Sequence, residues 1–268
     1  MTRLDAIHLE KVTDKNVNNE PFPHFCIDNI LQDDFANEVY NSFPSYHEAQ
    51  NLGFEFQAVN EKRKIQITDS KKFPAPILEL HKILASRDFI SKVEAMVGIP
   101  NLLPDPDLIG GGIHETNSGG HLDVHVDFNF IPEKQLYRRV NILFYFNKDW
   151  KEEYGGYLDV WDKEVKERHG YFAPAFNRAC GFATGKYSWH GVTPVTCPPE
   201  MMRRSFAVYY YTKEAPADWV GTAHSTIFKA RPDEWMKGHV KMPVENVVRG
   251  ARQAVNTIKS GIKSALKM

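Results

Sequence analysis

From residue 107 onward the chain leaves helical spacing for short apolar runs cut by turn residues, and this change constrains its fold more than any other feature. Leu108-Ile109-Gly110-Gly111-Gly112-Ile113-His114 reads as a strand interrupted by glycines, the mark of a bulge or a close backbone approach. Further strands are predicted at 121–128, 139–146, 156–161, 179–184, 192–196 and 204–212. Turn signals separate them: Asn117-Ser118-Gly119-Gly120, Asn147-Lys148-Asp149, Gly155-Gly156, Pro174 and Pro198-Pro199. Many short strands with turns between them indicate a sandwich or barrel.

Upstream the spacing is helical. Pro74 and Pro76 stand before Ile77, Leu78, Leu80, Ile83 and Leu84, and a second helix with Phe89, Ile90, Val93 and Val97 stops at Gly98. Residues 20–31 read as an extended strand that ends near Asn29. A helix then starts near Asp33 or Asp34, with Phe35, Val39 and Tyr40 on its apolar face. Residues 43–60 read as loop and short strand. The spacing assigns 1–106 to an N-terminal strand and supporting helices of one domain, 107–213 to its strand-rich core, and 214–268 to a C-terminal extension.

That extension reads as irregular but packed to about residue 243, with Trp219 and Trp235 among prolines. An amphipathic helix is predicted over 244–267. Its stripe of Val244, Val247, Val248, Ala251, Val255, Ile258, Ile262 and Leu266 is expected to dock on the domain or on a second copy, which would make a homodimer. The alternative is a basic helix on a membrane surface, and the lack of Trp and Phe in the stripe counts against it.

Composition narrows the functional classes. A formal net charge of -1 provides no global field to recruit nucleic acid or an anionic membrane, so neither is an expected partner. Cys26, Cys180 and Cys197 are too few and too scattered for a disulfide framework, so reduced thiols and a cytoplasmic location are expected. The N-terminus has no apolar h-region, and no apolar run approaches the roughly 20 residues of a membrane span.

The chemistry concentrates in His125-Val126-Asp127 and, far downstream, His190. Two positions apart on a strand, His125 and Asp127 project to one face. Two imidazoles and a carboxylate on one face of a metal leave positions open, the set that suits non-haem Fe(II). His121-Leu122-Asp123 is also a His-x-Asp with the same strand parity, and alternation does not choose between them. Zinc is a further reading of the donors, but zinc sites are usually richer in His and Cys, and Cys180 and Cys197 are not spaced as a pair. A 2-oxo acid co-substrate needs a cation for its far carboxylate, and an arginine fork fits one bidentately. Arg203-Arg204-Ser205 opens an apolar strand in which Arg203, Ser205, Ala207 and Tyr209 share one face. Arg203 and Ser205 can hold one carboxylate together, and Arg204 reads as a surface or salt-bridged residue.

With these residues in place, the stretch 108–212 resembles the Fe(II)/2-oxoglutarate dioxygenases of the prolyl 4-hydroxylase-like superfamily. Arg139-Val140-Asn141-Ile142-Leu143-Phe144-Tyr145-Phe146-Asn147-Lys148-Asp149-Trp150 is similar to the strand and turn that follow the His-x-Asp in hypoxia-type prolyl hydroxylases. Gly155-Gly156-Tyr157-Leu158 and Pro174-Ala175-Phe176-Asn177-Arg178 have counterparts as well. The resemblance implies a double-stranded β-helix (a jelly roll, cupin-like), mainly β with supporting helices. It implies His125, Asp127 and His190 as Fe(II) ligands and as the catalytic centre. Arg203 and Tyr145, with Ser205, are implied as the 2-oxoglutarate site, and ascorbate as a candidate reductant. The expected activity is hydroxylation of an unactivated C–H bond, with a prolyl residue of a peptide or protein as leading substrate. A small molecule or glycan is the runner-up, and a non-catalytic binding or sensor module the alternative from another class. The His190–Arg203 interval is longer than in the nearest hydroxylases, with Thr196-Cys197-Pro198-Pro199-Glu200 as the apparent insertion. The loops 43–72 and 129–138 match no known substrate class.

Overall fold

The structure is a computed structural model and describes residues 3–105 and 107–234. The helix predicted over 244–267 lies outside the described residues. Among the described residues, no helix is long and apolar enough to cross a membrane.

Four α-helices cover one side: α1 (Asp33–Ser42), α2 (Tyr46–Leu52), α3 (Ala75–Leu84) and α4 (Arg87–Val97). The expected stops and starts are local chemistry. Pro74 is the N-cap of α3, the Ser86 hydroxyl accepts from the Phe89 N–H to open α4, and Gly98, at φ 69°, ends it in the left-handed conformation. Helix α2 departs from the loop expected at 43–60. Ser45 and Glu48 form a reciprocal capping box there, which starts a helix that has little apolar periodicity.

The strands in chain order are β1 (Val17–Asn18), β2 (His24–Asp28), β3 (Phe54–Gln57), β4 (Glu61–Ile67), β5 (Leu103–Pro104), β6 (Gly112–Val126) and β7 (Phe130–Ile131). They continue with β8 (Leu136–Tyr145), β9 (Leu158–Trp161), β10 (Arg168–Phe172), β11 (Arg178–Ala183), β12 (His190–Val192), β13 (Arg203–Thr212) and β14 (Ile227–Phe228). The main path runs β1-β2-β11-β8-β13-β6-β12-β9-β10, with the hairpin β3–β4 and strand β14 added along β6. This sheet curls over on itself. Leu158 of β9 packs on Tyr145 of β8 and on Cys180 and Phe182 of β11. That closure makes a double-stranded β-helix with a cavity between its two walls.

Alternation on β8 and β13 explains the layers. Ile142, Phe144, Phe206, Val208 and Tyr210 enter one large core with Ile77, Leu80, Ile83, Phe89, Ile90 and Val93 of the helices. Each such side chain contributes on the order of 1.5–3 kcal/mol when fully buried. The intervening residues Asn141, Leu143, Arg203 and Tyr209 face the cavity.

Three strand expectations needed correction. The turn expected at 117–120 lies within the bounds of the single long strand β6, as a bulge: Lys64 pairs with Thr116 but Lys62 with His121, so the residues between leave the β4 ladder, while Gly119 N–H donates to Val195 O and Val195 N–H to Gly120 O on the other side. The strand expected at 192–196 forms instead over His190–Val192, where His190 pairs with His125 and Val160. Strand β10 was not expected, being an exposed edge with little apolar alternation.

One buried carboxylate yields a stability prediction. Glu115 faces away from the cavity, with Arg204 Nε 3.8 Å from its carboxylate. Burial pushes its carboxyl up to about 8, with Arg204 opposing. Because the folded value exceeds the unfolded one, its contribution is complete below about 4.5 and is lost as pH rises through about 8. Thermal melts from pH 5 to 9 should show this decline, approaching about 1.4 kcal/mol per pH unit. Glu115→Gln should flatten it, and equal slopes in the two proteins would mean that Arg204 keeps the group ionised in the fold.

Candidate metal centre

His125 lies at the end of β6 and Asp127 directly after it, and His190 opens the neighbouring strand β12, directly opposite His125. One donor atom from each of the three side chains lies within 4.8 Å of the other two. The His125 Nε2 is 3.4 Å from Asp127 Oδ1, and the His190 Nε2 is 3.5 Å from Asp127 Oδ2. Each imidazole uses its other nitrogen on the backbone: the Nδ1–H groups of His125 and His190 donate to the carbonyls of Asp123 and Ser188, both at 2.9 Å. Those bonds orient the rings and leave each Nε2 lone pair directed at the shared point. Burial and the neighbouring His125 push His190 down to about 3, so its ring is neutral and ready to ligate.

Burial works against ionisation of Asp127, but the Arg138 guanidinium beside it prevails and holds its carboxyl well below the usual range. The Asn141 amide donates to Asp127 Oδ2 at 2.6 Å, and Arg138 Nη2 lies 3.3 Å from the same oxygen. Arg138 Nε donates in turn to Asn141 Oδ1 at 2.8 Å, and its guanidinium stacks on Tyr209 at 3.7 Å. The donor set of two imidazole nitrogens and one carboxylate oxygen, lining a cavity of about 510 Å³, fits a divalent transition metal with positions left open.

Arg203 enters the same cavity. Its Nε donates to Gly156 O at 2.6 Å and its Nη2 to the Tyr145 hydroxyl at 3.3 Å. Gly156, at φ 70°, is required here, because a Cβ would sit 2.9 Å from Arg203 Cδ. Ser205, between Tyr145 and His114 in the sheet, has a buried hydroxyl with no hydrogen-bond partner. Arg204 turns to the opposite side, toward Glu115 and the rings of Tyr40 and Phe43.

Register separates the two His-x-Asp pairs. His190 pairs with His125, but Val192 pairs with Leu122, so β6 carries an extra residue between them. Leu122 and His125 thus both line the cavity, while Asp123 meets Arg231 and His121. His121 also bonds Val59 O through Nε2.

Three further residues of the site escaped the sequence. Arg138 is one: Tyr210 pairs with Val140 and Tyr211 with Arg138, so a bulge at Arg139 brings Arg138 to the side of Asn141. The others belong to the C-terminal extension. Strand β14 pairs Phe228 with His125, ring centroids 5.5 Å apart, and walls one side of the cavity. Arg231 anchors this strap through two hydrogen bonds to the buried Asp159 carboxylate. Their only sequence signal was an aromatic and an arginine in a proline-rich tail.

The sequence model of the 2OG-Fe(II) oxygenase superfamily matches residues 111–211. No curated protein matches the chain. Among solved structures, the chain is similar to a Trichoplax adhaerens prolyl hydroxylase in complex with a hypoxia inducible factor oxygen degradation domain peptide. The TM-score is 0.54 at 18% identity, over 78% of this chain and 89% of that one. A Pseudomonas putida prolyl-4-hydroxylase gives 0.52 at 16% identity, over 76% and 98%. The non-heme alpha ketoglutarate dependent carbocyclase SnoK from nogalamycin biosynthesis gives 0.50 at 12%, over 78% and 85%. These are likenesses of fold.

Arg138→Met should test what holds the carboxylate. It removes the cation beside Asp127 while keeping apolar contact with Tyr209. Losing such an outer partner typically costs about 10–100-fold in metal affinity. Titration with Fe(II) or Co(II) under anaerobic conditions should show that loss. Unchanged affinity would assign Arg138 to packing alone.

Proposed function

We propose, from the premise that residues 111–211 belong to the 2OG-Fe(II) oxygenase superfamily, that His125, Asp127 and His190 bind Fe(II) and that Arg203 holds the far carboxylate of 2-oxoglutarate. The observation that carries this reading is Arg203 itself. It is 3% exposed, lies in the cavity that the three donors line, and has no carboxylate paired with it among the described residues. Buried charges are ordinarily paired, and a ligand carboxylate supplies the missing partner.

Tyr145 accepts from Arg203, which leaves its own hydroxyl proton to donate. Burial pushes that phenol up, so it stays protonated. Ser205 offers a second hydroxyl without a competing bond. The chemistry supplied by Fe(II) with 2-oxoglutarate and dioxygen is oxidative: the co-acid leaves as succinate and carbon dioxide, and a substrate C–H bond gains a hydroxyl group. The protein's part is positional. Arg138 and Asn141 fix the Asp127 carboxylate, the backbone carbonyls of Asp123 and Ser188 fix the imidazoles, and Phe228 shields His125 from water.

The leading substrate in this reading is a prolyl residue of a peptide or protein. Phe54 and Phe56 of the β3–β4 hairpin stand at the cavity mouth, and Phe54 is 66% exposed. An exposed aromatic at the rim favours an apolar ring presented from a larger partner. The fold likeness to peptide-bound prolyl hydroxylase adds support by analogy.

Two measurements test this. Arg203→Ala should raise the 2-oxoglutarate requirement by at least about 100-fold, the low end of what two charge-assisted hydrogen bonds are worth, and leave the iron requirement nearly unchanged. Loss in Arg204→Ala instead would transfer the role to Arg204. Succinate release should then be followed with proline-containing peptides, metabolites and glycans, with and without Fe(II). Stimulation by peptides with hydroxyproline in the product supports the prolyl reading, whereas stimulation only by a small molecule or glycan replaces it.

A further inference from the structure

Cys26 on β2 and Cys180 on β11 lie 154 residues apart in sequence but directly opposite each other in one antiparallel ladder, with their sulfurs 2.6 Å apart. Ala183 N–H donates to Pro23 O across that ladder. Hydrogen-bonded pairs recur at every second position, so Cys26 and Cys180 form a non-hydrogen-bonded pair. The Cα atoms of such a pair are about 4.5 Å apart, inside the roughly 4.4–6.8 Å that a disulfide spans. The strands therefore hold the two thiols in bonding geometry with no backbone movement. Cys26 is half-buried and Cys180 fully buried, beside Tyr145 and Phe182. The third thiol, Cys197, is engaged elsewhere, on the Met201 carbonyl.

We propose that Cys26 and Cys180 form a reversible dithiol–disulfide site whose oxidant is a peroxide. Cys26, the more accessible sulfur, attacks first. Its thiolate takes one oxygen from hydrogen peroxide, the O–O bond breaks, and a sulfenic acid and hydroxide result. The Cys180 sulfur then attacks the sulfenic sulfur. The S–S bond forms as the S–O bond breaks, and the departing hydroxide leaves as water with the Cys180 proton. In sum two thiols surrender two electrons and two protons, and one peroxide becomes two waters. Burial pushes the Cys180 thiol well up, which keeps it protonated until that second step. Cys180 packs on Tyr145, but the proposal does not rest on the iron and 2-oxoglutarate reading and stands whether or not that reading holds.

The test uses the full chain, treated with graded hydrogen peroxide, then alkylated and mapped by mass spectrometry. Free thiols should fall from three to one with the loss of two hydrogens in mass. One peptide pair joining Cys26 to Cys180 should appear, and dithiothreitol should restore both thiols. Cys197→Ser should retain the link, and Cys26→Ser should lose it. If Cys26→Ser fails to fold, the wild-type peptide map decides by itself. Separate alkylated peptides at full exposure would overturn the proposal. So would irreversible sulfinic or sulfonic acid on Cys26, or links to Cys197 or to a second chain.

Discussion

The ladder between β8 and β13 is buried on both faces, and the rest of the molecule is arranged around that fact. One face is apolar, with Ile142, Phe144, Phe206 and Val208, and cannot remain in water; α3 and α4 cover it with Ile77, Leu80, Phe89 and Val93. The other face carries Asn141, Leu143, Arg203 and Tyr209 into the cavity. A strand's period of two lets the same residues build the core and the site at once.

A polar face buried this deeply is stable only where its charges find partners. Asp127 is satisfied from within, because Arg138 and Asn141 surround its carboxylate and bond to each other. Arg231 does the same for Asp159 and ties the C-terminal strap across the end of β6. Arg203 and Ser205 differ. The guanidinium spends its bonds on a backbone carbonyl and a phenol, and the hydroxyl on nothing. Within this buried polar face the carboxylates are thus closed by their own partners, whereas Arg203 and Ser205 keep unused bonding capacity.

Much of this was legible in the chain. Helices α3 and α4 were readable because apolar spacing and caps are local. The one-face series Arg203, Ser205 and Tyr209 followed from alternation, and the structure places Arg203 and Tyr209 on the cavity and Arg204 toward Glu115. Helix α2 was missed because its signal is a capping box with little apolar stripe behind it. Strand β10 was missed because an exposed edge needs no apolar alternation.

The sequence by itself determined the residue types, their order and their local period: a His-x-Asp, a distant His, an arginine at the head of an apolar strand, and many short strands. Tertiary structure decided the register. One extra residue in β6 brings His125 opposite His190 and turns Asp123 to Arg231. One at Arg139 brings Arg138 beside Asp127. The meeting of Cys26 with Cys180 is likewise a matter of register between strands remote in sequence. A bulge reverses alternation for every residue beyond it. Its position is set by the partner strand's hydrogen bonds, which the pattern along a single strand does not contain.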